Sequence, residues 1–346
     1  MRNSKRNFLA LLSITMLLIL SACGSGGSSS EPSSAGENEV QEVTIKLAHE
    51  VAENTSQHVG SVAVKDYIEK ESDGKIKVQI YPNGQLFGDK DVYQQLVANN
   101  VQITQIDLSK LVGEDPRFNI PSMPYLFNGD DEAVKFWDSE KGMEILTSLD
   151  SDGIYGIAMW PNGPKHLTNA VKPLKKPEDL EGLKFRTQGG QVLESVFSTL
   201  GAGSVSIPFT ELYTALQQGT VDGQTNTFVN IDSKKFDEIQ KYLTVSGETR
   251  VDLGLFVNQK FMDGLNEPTR KIVEDGLKAG TEEARKAAKV MNEESRKNLE
   301  ERGEIEIYEL SEEEIEAFKE AWAPIYDEYT SIIGEEYIEA AKQANE

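Results

Sequence analysis

Two stretches in different halves of the chain carry one pattern at a constant offset. The first is Asp91-Val92-Tyr93-Gln94-Gln95-Leu96-Val97-Ala98-Asn99-Asn100-Val101-Gln102-Ile103-Thr104-Gln105. The second is Glu211-Leu212-Tyr213-Thr214-Ala215-Leu216-Gln217-Gln218-Gly219-Thr220-Val221-Asp222-Gly223-Gln224-Thr225. An acid, an apolar residue, tyrosine, leucine, a polar turn and valine recur in that order, so each reads as helix, turn and strand. One such unit in each half implies two related lobes with a cleft between them, a common place for a small ligand. The length agrees, since 346 residues exceed one ordinary core. Chance likeness between two short amphipathic helices is the competing reading.

The second unit sits in the most informative part of the chain. Leu183-Lys184-Phe185-Arg186-Thr187 has the look of a short strand with Lys184 and Arg186 on one face. Gly189-Gly190 leads to Val192, Val196, Phe197 and Leu200 at helical spacing. Phe209, Leu212, Tyr213 and Leu216 mark a second helix, closed by Gly219. The stretch from Thr220 to Asn226 then reads as strand and turn. A cation, Arg186, and an amide, Asn226, thus fall at the ends of neighbouring strand-like runs. Arg186 as an ordinary solvated strand residue is the plainer alternative.

The rest of the chain alternates in the same way. Val43 to Ala48 is a strand, and His49 to Asn54 is the loop after it, where an open α/β sheet places ligands. A helix follows to about Ser72, then a strand from Lys75 to Tyr81 and a turn at Pro82-Asn83-Gly84. Pro116 to Phe127 is apolar but broken by prolines. Ile154 to Trp160 is a strand, and Pro161-Asn162-Gly163-Pro164 begins a crossing to the second lobe. Val251 to Val257 returns to the first. Glu267 to Arg302 reads as one long charged helix. Ser311 with Glu314 forms a capping box for the last helices, and Pro324 is expected to interrupt or kink that run.

The amino terminus bears on location. Arg2, Lys5 and Arg6 precede an apolar run from Phe8 to Leu20, and Leu20-Ser21-Ala22-Cys23 matches a lipobox. Residues 1–22 therefore read as an export signal rather than a permanent span, leaving Cys23 to carry lipid at the outer face of the cytoplasmic membrane. Gly24 to Glu39 has a tether's composition and would wander roughly 20–25 Å. The chain's formal charge of −23 becomes −26 without the three leader cations. Such a surface argues against nucleic acid and against anionic headgroups, although a local cleft can still be positive.

Catalytic signatures are scarce. With one cysteine there is no disulfide and no cysteine-based zinc cluster. His49, His58 and His166 form no close metal-binding pair, and His166 reads as a hydrogen-bonding residue. Gly201 to Ser206 lacks the third glycine of a dinucleotide fingerprint and reads as loop. No nucleophile elbow or phosphate loop is present. No cofactor is expected. Carboxylates are too many for counting to exclude a glycosidase pair.

The run Pro177 to Arg186, the run Pro208 to Gly219, and Val221-Asp222-Gly223-Gln224-Thr225-Asn226 together resemble the signature of the DctP-type solute-binding proteins of TRAP (tripartite ATP-independent periplasmic) transporters. The likeness extends weakly over about residues 43–340. It implies an α/β, two-lobed periplasmic-binding-protein-like fold with a ligand cleft between lobes and long helices in the C-terminal part. Mapped onto this chain, lobe I takes residues 43–163 and 251–291 and lobe II residues 164–250 and 292–346, after a tether over 23–42. It also implies a monomeric receptor, not an enzyme, that captures an organic acid and hands it to integral-membrane permease subunits.

By the same resemblance, Arg186 clamps a carboxylate with its planar fork, Asn226 adds a hydrogen bond and Phe209 packs on the ligand. Asp107 and Asp89 fall near ligand-facing positions of the first lobe, with a solvated strand-end acid the alternative for Asp107. Glu50 joins them by its place after the first strand. One departure stands out. Family members often read Asn-Gly-x-Arg-His-x-Thr-Asn where this chain has Asn162-Gly163-Pro164-Lys165-His166-Leu167-Thr168-Asn169. Lys165 keeps the charge and loses the bidentate geometry, which leaves sugar acid, dicarboxylate and keto acid all open. Arg250 is a candidate second cation near the hinge, and Trp160 either lines the pocket or belongs to the core. A binding lipoprotein for another transporter class or a sensor kinase, and a secreted hydrolase, are the alternative functions.

Overall fold

Alternating apolar residues explain the first sheet. The strands β1 (Val43–Ala48), β2 (Ile76–Tyr81), β3 (Ile103–Asp107) and β4 (Ile154–Pro164) bury Ile45, Leu47, Ile76, Val78 and Ile103. The second sheet follows in the chain with β5 (His166–Asn169), β6 (Lys184–Thr187), β7 (Gly203–Ser206), β8 (Gly223–Asn226) and β9 (Tyr242–Val245). Strand β10 (Arg250–Asn258) returns to the first sheet and β11 (Glu306–Glu309) to the second. The orders are β2-β1-β3-β10-β4 and β11-β9-β5-β8-β6-β7. Both sheets are mixed: β1 runs parallel to β2 and β3, while β10 is antiparallel to β3 and β4. The structure is a computed structural model and describes residues 39–346. The leader, Cys23 and nearly all of the tether lie outside the described residues.

The helices in chain order are α1 (Ser56–Glu71), α2 (Val92–Val97), α3 (Asp130–Trp137), α4 (Glu140–Leu146), α5 (Gln191–Ser198), α6 (Leu212–Gln217) and α7 (Phe228–Ser233). After β10 come α8 (Gln259–Asp263), α9 (Glu267–Arg302), α10 (Glu312–Ile333) and α11 (Glu335–Gln343). The repeated pattern is visible directly. Helices α2 and α6, and the first residues of β3 and β8, are displaced by the same number of positions. Asp107 and Thr227 are also equivalent. Each caps the turn after its strand, Asp107 accepting from the Ser109 N–H and Thr227 from the Asn230 N–H.

Helix α9 is unbroken over 36 residues and packs on α1 and β4 in its first part and on α7 further on. Its buried stripe, Val273, Gly276, Leu277, Gly280, Ala284 and Ala288, keeps helical spacing. Gly280 sets the contact with α1, because a Cβ there would stand 2.2 Å from Val64 Cγ2. Helices α10 and α11 pack on the proline-broken segment, on α3 to α5, and anchor through Trp322, whose indole donates to the Val196 carbonyl at 2.7 Å.

Two local readings are corrected. Pro324 does not interrupt α10. It is exposed, so water can serve the carbonyl it leaves unbonded, while buried Trp322, Ile325 and Tyr329 fix the helix on either side. Gly203–Ser206, read as loop, is the edge strand β7, parallel to β6. An edge strand of small polar residues shows no apolar alternation.

Candidate functional site

Arg186 lies on β6, a strand between β7 and β8, and its side chain has no exposed surface. Nε donates to the Ile207 carbonyl at 2.8 Å, which fixes the plane of the guanidinium. Nη1 and Nη2 are buried and have no partner among the described residues. Such groups are costly to bury unmatched. Burial pulls the Arg186 pKa down, opposed by Glu50, Asp89 and Asp107; an arginine nonetheless stays charged. The Phe209 ring lies 5.9 Å from its guanidinium carbon. Asn226 ends β8, the strand beside β6, and its amide oxygen accepts from Thr227 N and Asn230 Nδ2.

The first sheet faces these groups with acids and one lysine. Asp107 closes β3 and is buried, not solvated; its carboxylate accepts from both the backbone and the hydroxyl of Ser109. Lys110, on the next turn, bonds Asp89 and lies 3.4 Å from Glu50. Burial raises the Glu50 pKa against the pull of Lys110. For Asp89 burial acts in the same direction, but Lys110 and the Phe209 N–H prevail and hold its carboxyl below the usual range.

The chain passes between the sheets at Lys165, the single residue between β4 and β5. Its N–H donates to the Thr249 carbonyl on the returning segment at 2.8 Å. The ammonium is buried and has no hydrogen-bond partner among the described residues. Burial lowers its pKa to about 8, against Glu248 and Asp107, while Arg186 adds to the lowering. Glu248 is itself buried and accepts from the Thr225 and Ser246 hydroxyls.

A narrow cavity lies where these parts meet. Glu50, Asp107 and Lys110 line it from the first sheet's side, Arg186, Phe209 and Asn226 from the second, and Asn162, Val251 and Leu253 from the crossing strands. A second narrow cavity adjoins it, lined by His49, Asp89, Thr104 and Gln105 and sharing Glu50, Asp107 and Lys110. Of the residues expected from sequence, Arg186, Asn226, Phe209, Asp107 and Glu50 converge on the first cavity. Asp89 stands beside it, and Lys165 is buried behind.

Two residues are placed elsewhere. The Arg250 guanidinium is committed to Asp252 and Asp130 at 3.0 and 2.7 Å, and the Trp160 indole donates to Thr281 Oγ1 in the core beneath α1 and α9. Sequence reading passed over Lys110, Asn230 and Lys234. Lys110 follows a strand end, where α/β sheets gather ligand contacts, and that was the available signal. His166 accepts from the Gly247 N–H, as a hydrogen-bonding residue does, and its ring packs tilted against Phe228. Among the described residues no cluster of His, Cys, Asp and Glu could hold a metal, and no helix is long and apolar enough to cross a membrane.

Residues 47–332 match the bacterial extracellular solute-binding proteins, family 7 (DctP). The C4-dicarboxylate-binding periplasmic protein DctP of Rhodobacter capsulatus is 36% identical over 304 residues, 87% of this chain and 91% of that protein. The fold superposes on a TRAP periplasmic solute-binding protein of Shewanella oneidensis with bound succinate at a TM-score of 0.86 and 33% identity, covering 88% of this chain and 99% of the other. A TRAP periplasmic solute-binding protein of Pseudomonas aeruginosa with bound L-malate gives 0.80 and 35%, covering 83% and 100%. The chain belongs to the DctP family of TRAP-transporter solute-binding proteins.

Proposed function

We propose that this chain captures a small organic acid, of the C4-dicarboxylate class, outside the cytoplasm and delivers it to integral-membrane TRAP permease subunits. The observation that carries the reading is Arg186: a buried guanidinium, fixed by one carbonyl, whose two terminal nitrogens face a cavity without partners. One ligand carboxylate would take both nitrogens, in charge-assisted bonds worth about 1.5–3 kcal/mol each. The Phe209 ring packs against the ligand's carbon chain, and Asn226 and Asn230 offer amides to its far end. Lys165, coupled to Arg186 and Asp107 through space, supplies the second positive charge that a dianion needs.

The relatives named for C4-dicarboxylates and solved with succinate and L-malate support that class. The chain acts as a monomer, held at the outer face of the membrane by lipid on Cys23. A thermal-shift screen of the full chain against succinate, L-malate, sugar acids, keto acids and neutral sugars tests the ligand class. A ligand at one hundred times its Kd adds about 2.7 kcal/mol, a rise of several degrees in Tm. A rise with neutral sugars and none with acids would overturn the assignment. Metabolic labelling with a fatty acid, lost in Cys23→Ala, tests the anchor.

A further inference from the structure

Asp89 lines the neighbouring cavity and the groove at the cleft mouth but not the cavity faced by Arg186. Its carboxylate joins two groups that belong to opposite sides of the cleft. One is the Lys110 ammonium, on the turn after β3. The other is the backbone N–H of Phe209, at 3.2 Å, on the segment leading to α6. Both side chains of the ion pair are nearly enclosed, Asp89 6% and Lys110 12% exposed, so the pair escapes most of the solvent screening that weakens surface pairs. Phe209 is the residue whose ring lies beside the Arg186 guanidinium. A second bond crosses nearby, from Lys234 Nζ to Asn83 Oδ1 at 3.3 Å, and Lys234 also stands 5.3 Å from the Phe209 ring.

We propose that Asp89 is the latch of the closed cleft: a positioning residue that holds Phe209, and with it the wall against Arg186, rather than a contact to the ligand. The proposal rests on the reading of the Arg186 cavity as the ligand site. Opening the cleft separates Asp89 from Phe209 and returns an amide and a carboxylate oxygen to water. The latch therefore slows release and leaves capture unaffected, since entry occurs before the two sides meet. It also withholds Lys110 from the ligand, because that ammonium is already shared between Asp89 and Glu50.

Two measurements on the full chain test this. The first is hydrogen–deuterium exchange at the Phe209 amide, at saturating succinate, where the cleft is closed, in the parent chain, Asp89→Ala and Asp89→Asn. The second is stopped-flow binding of succinate to the same three proteins. In Asp89→Ala the Phe209 amide should exchange at least about tenfold faster, and succinate should leave about tenfold faster with an association rate within twofold of the parent. Asp89→Asn keeps an acceptor for Phe209 and should recover most of both. Parent-like protection of Phe209 in Asp89→Ala overturns the latch, and so does slower association with unchanged release. If succinate does not bind the parent chain, the ligand reading fails; if it binds the parent and Asp89→Ala leaves both Phe209 protection and release unchanged, the latch alone fails.

Discussion

The Arg186 guanidinium carbon lies 5.9 Å from the centre of the Phe209 ring, and its Nε is bonded to the carbonyl of Ile207, two residues before that ring. One short segment therefore both aims the cation and covers one side of it. The terminal nitrogens are left as the only part of the side chain without a bond among the described residues.

Substitution at Arg186 should separate binding from stability. Arg186→Lys retains charge but not the fork, and should raise the Kd for succinate about 10- to 100-fold with the fold intact. Arg186→Met should abolish binding while Tm stays level or rises, because a buried cation without partners is a cost to the ligand-free fold. Calorimetry with succinate, beside thermal unfolding, checks both. A large fall in Tm for Arg186→Met would mean the cation is a structural element.

How far the sequence reveals this site depends on how local each contact is. Arg186, Phe209 and Asn226 sit on short elements whose ends are marked by Gly219 and by strand alternation, but their roles came with the family resemblance, because spacing alone leaves Arg186 an ordinary solvated strand residue. The capping box at Ser311 and Glu314 is legible because its contacts are local. Lys110 is marked only by its place after a strand end, and nothing near it or near Lys234 indicates that Asp89, Glu50 and Asn83 will meet them. Arg250 looks like a spare cation until the fold brings Asp130, 120 positions away, against it. Trp160 is equally silent, because only the packing of α1 against α9 decides that its indole points into the core.

Lys165 predicts a pH dependence. Its pKa falls from 10.5 to about 8 because burial penalises the charged form. Between those values the unfolded chain holds a proton that the folded chain has released, so this group's contribution to stability rises with pH across that window. Binding follows the opposite sign: an anion favours the charged lysine, so affinity for succinate should fall above about pH 8, by up to tenfold per pH unit. Titration calorimetry from pH 7 to 10 should show that slope in the parent chain and a flat profile in Lys165→Met. A slope that persists in Lys165→Met would assign it to another group.

The buried histidines predict acid sensitivity. Burial, aided by His58 for His49 and by Arg296 for His166, lowers both from 6.5 to about 3. The unfolded chain takes up protons below pH 6.5 that the folded chain refuses until about pH 3, so the stability they confer is complete above 6.5 and is lost as pH falls toward 3. At pH 5 the loss is roughly 2 kcal/mol for each. His166→Asn keeps an acceptor for the Gly247 N–H and should flatten the fall in unfolding free energy between pH 6.5 and 5 by about that amount. An unchanged slope in denaturant titrations would remove His166 from the account.

The contact between α1 and α9 makes a prediction that needs no ligand. A Cβ on Gly280 would stand 2.2 Å from Val64 Cγ2 and 2.7 Å from the Gly60 carbonyl, and one on Gly60 would meet Ala284 Cβ at 2.7 Å. Ordinary replacement of a helical glycine by alanine stabilises by up to about 1 kcal/mol through propensity. Here the added methyl has to push two long helices apart along a stripe that also holds Leu277 and Ala284, and overpacking of this kind costs about 1–3 kcal/mol. Packing should win, so Gly280→Ala lowers Tm. Val64→Ala removes the side chain that the new methyl would strike, and although it costs stability alone, the double variant Gly280→Ala with Val64→Ala should be more stable than the two single losses added together. Strict additivity in that cycle would show that Gly280 is required for some reason other than the approach of Val64.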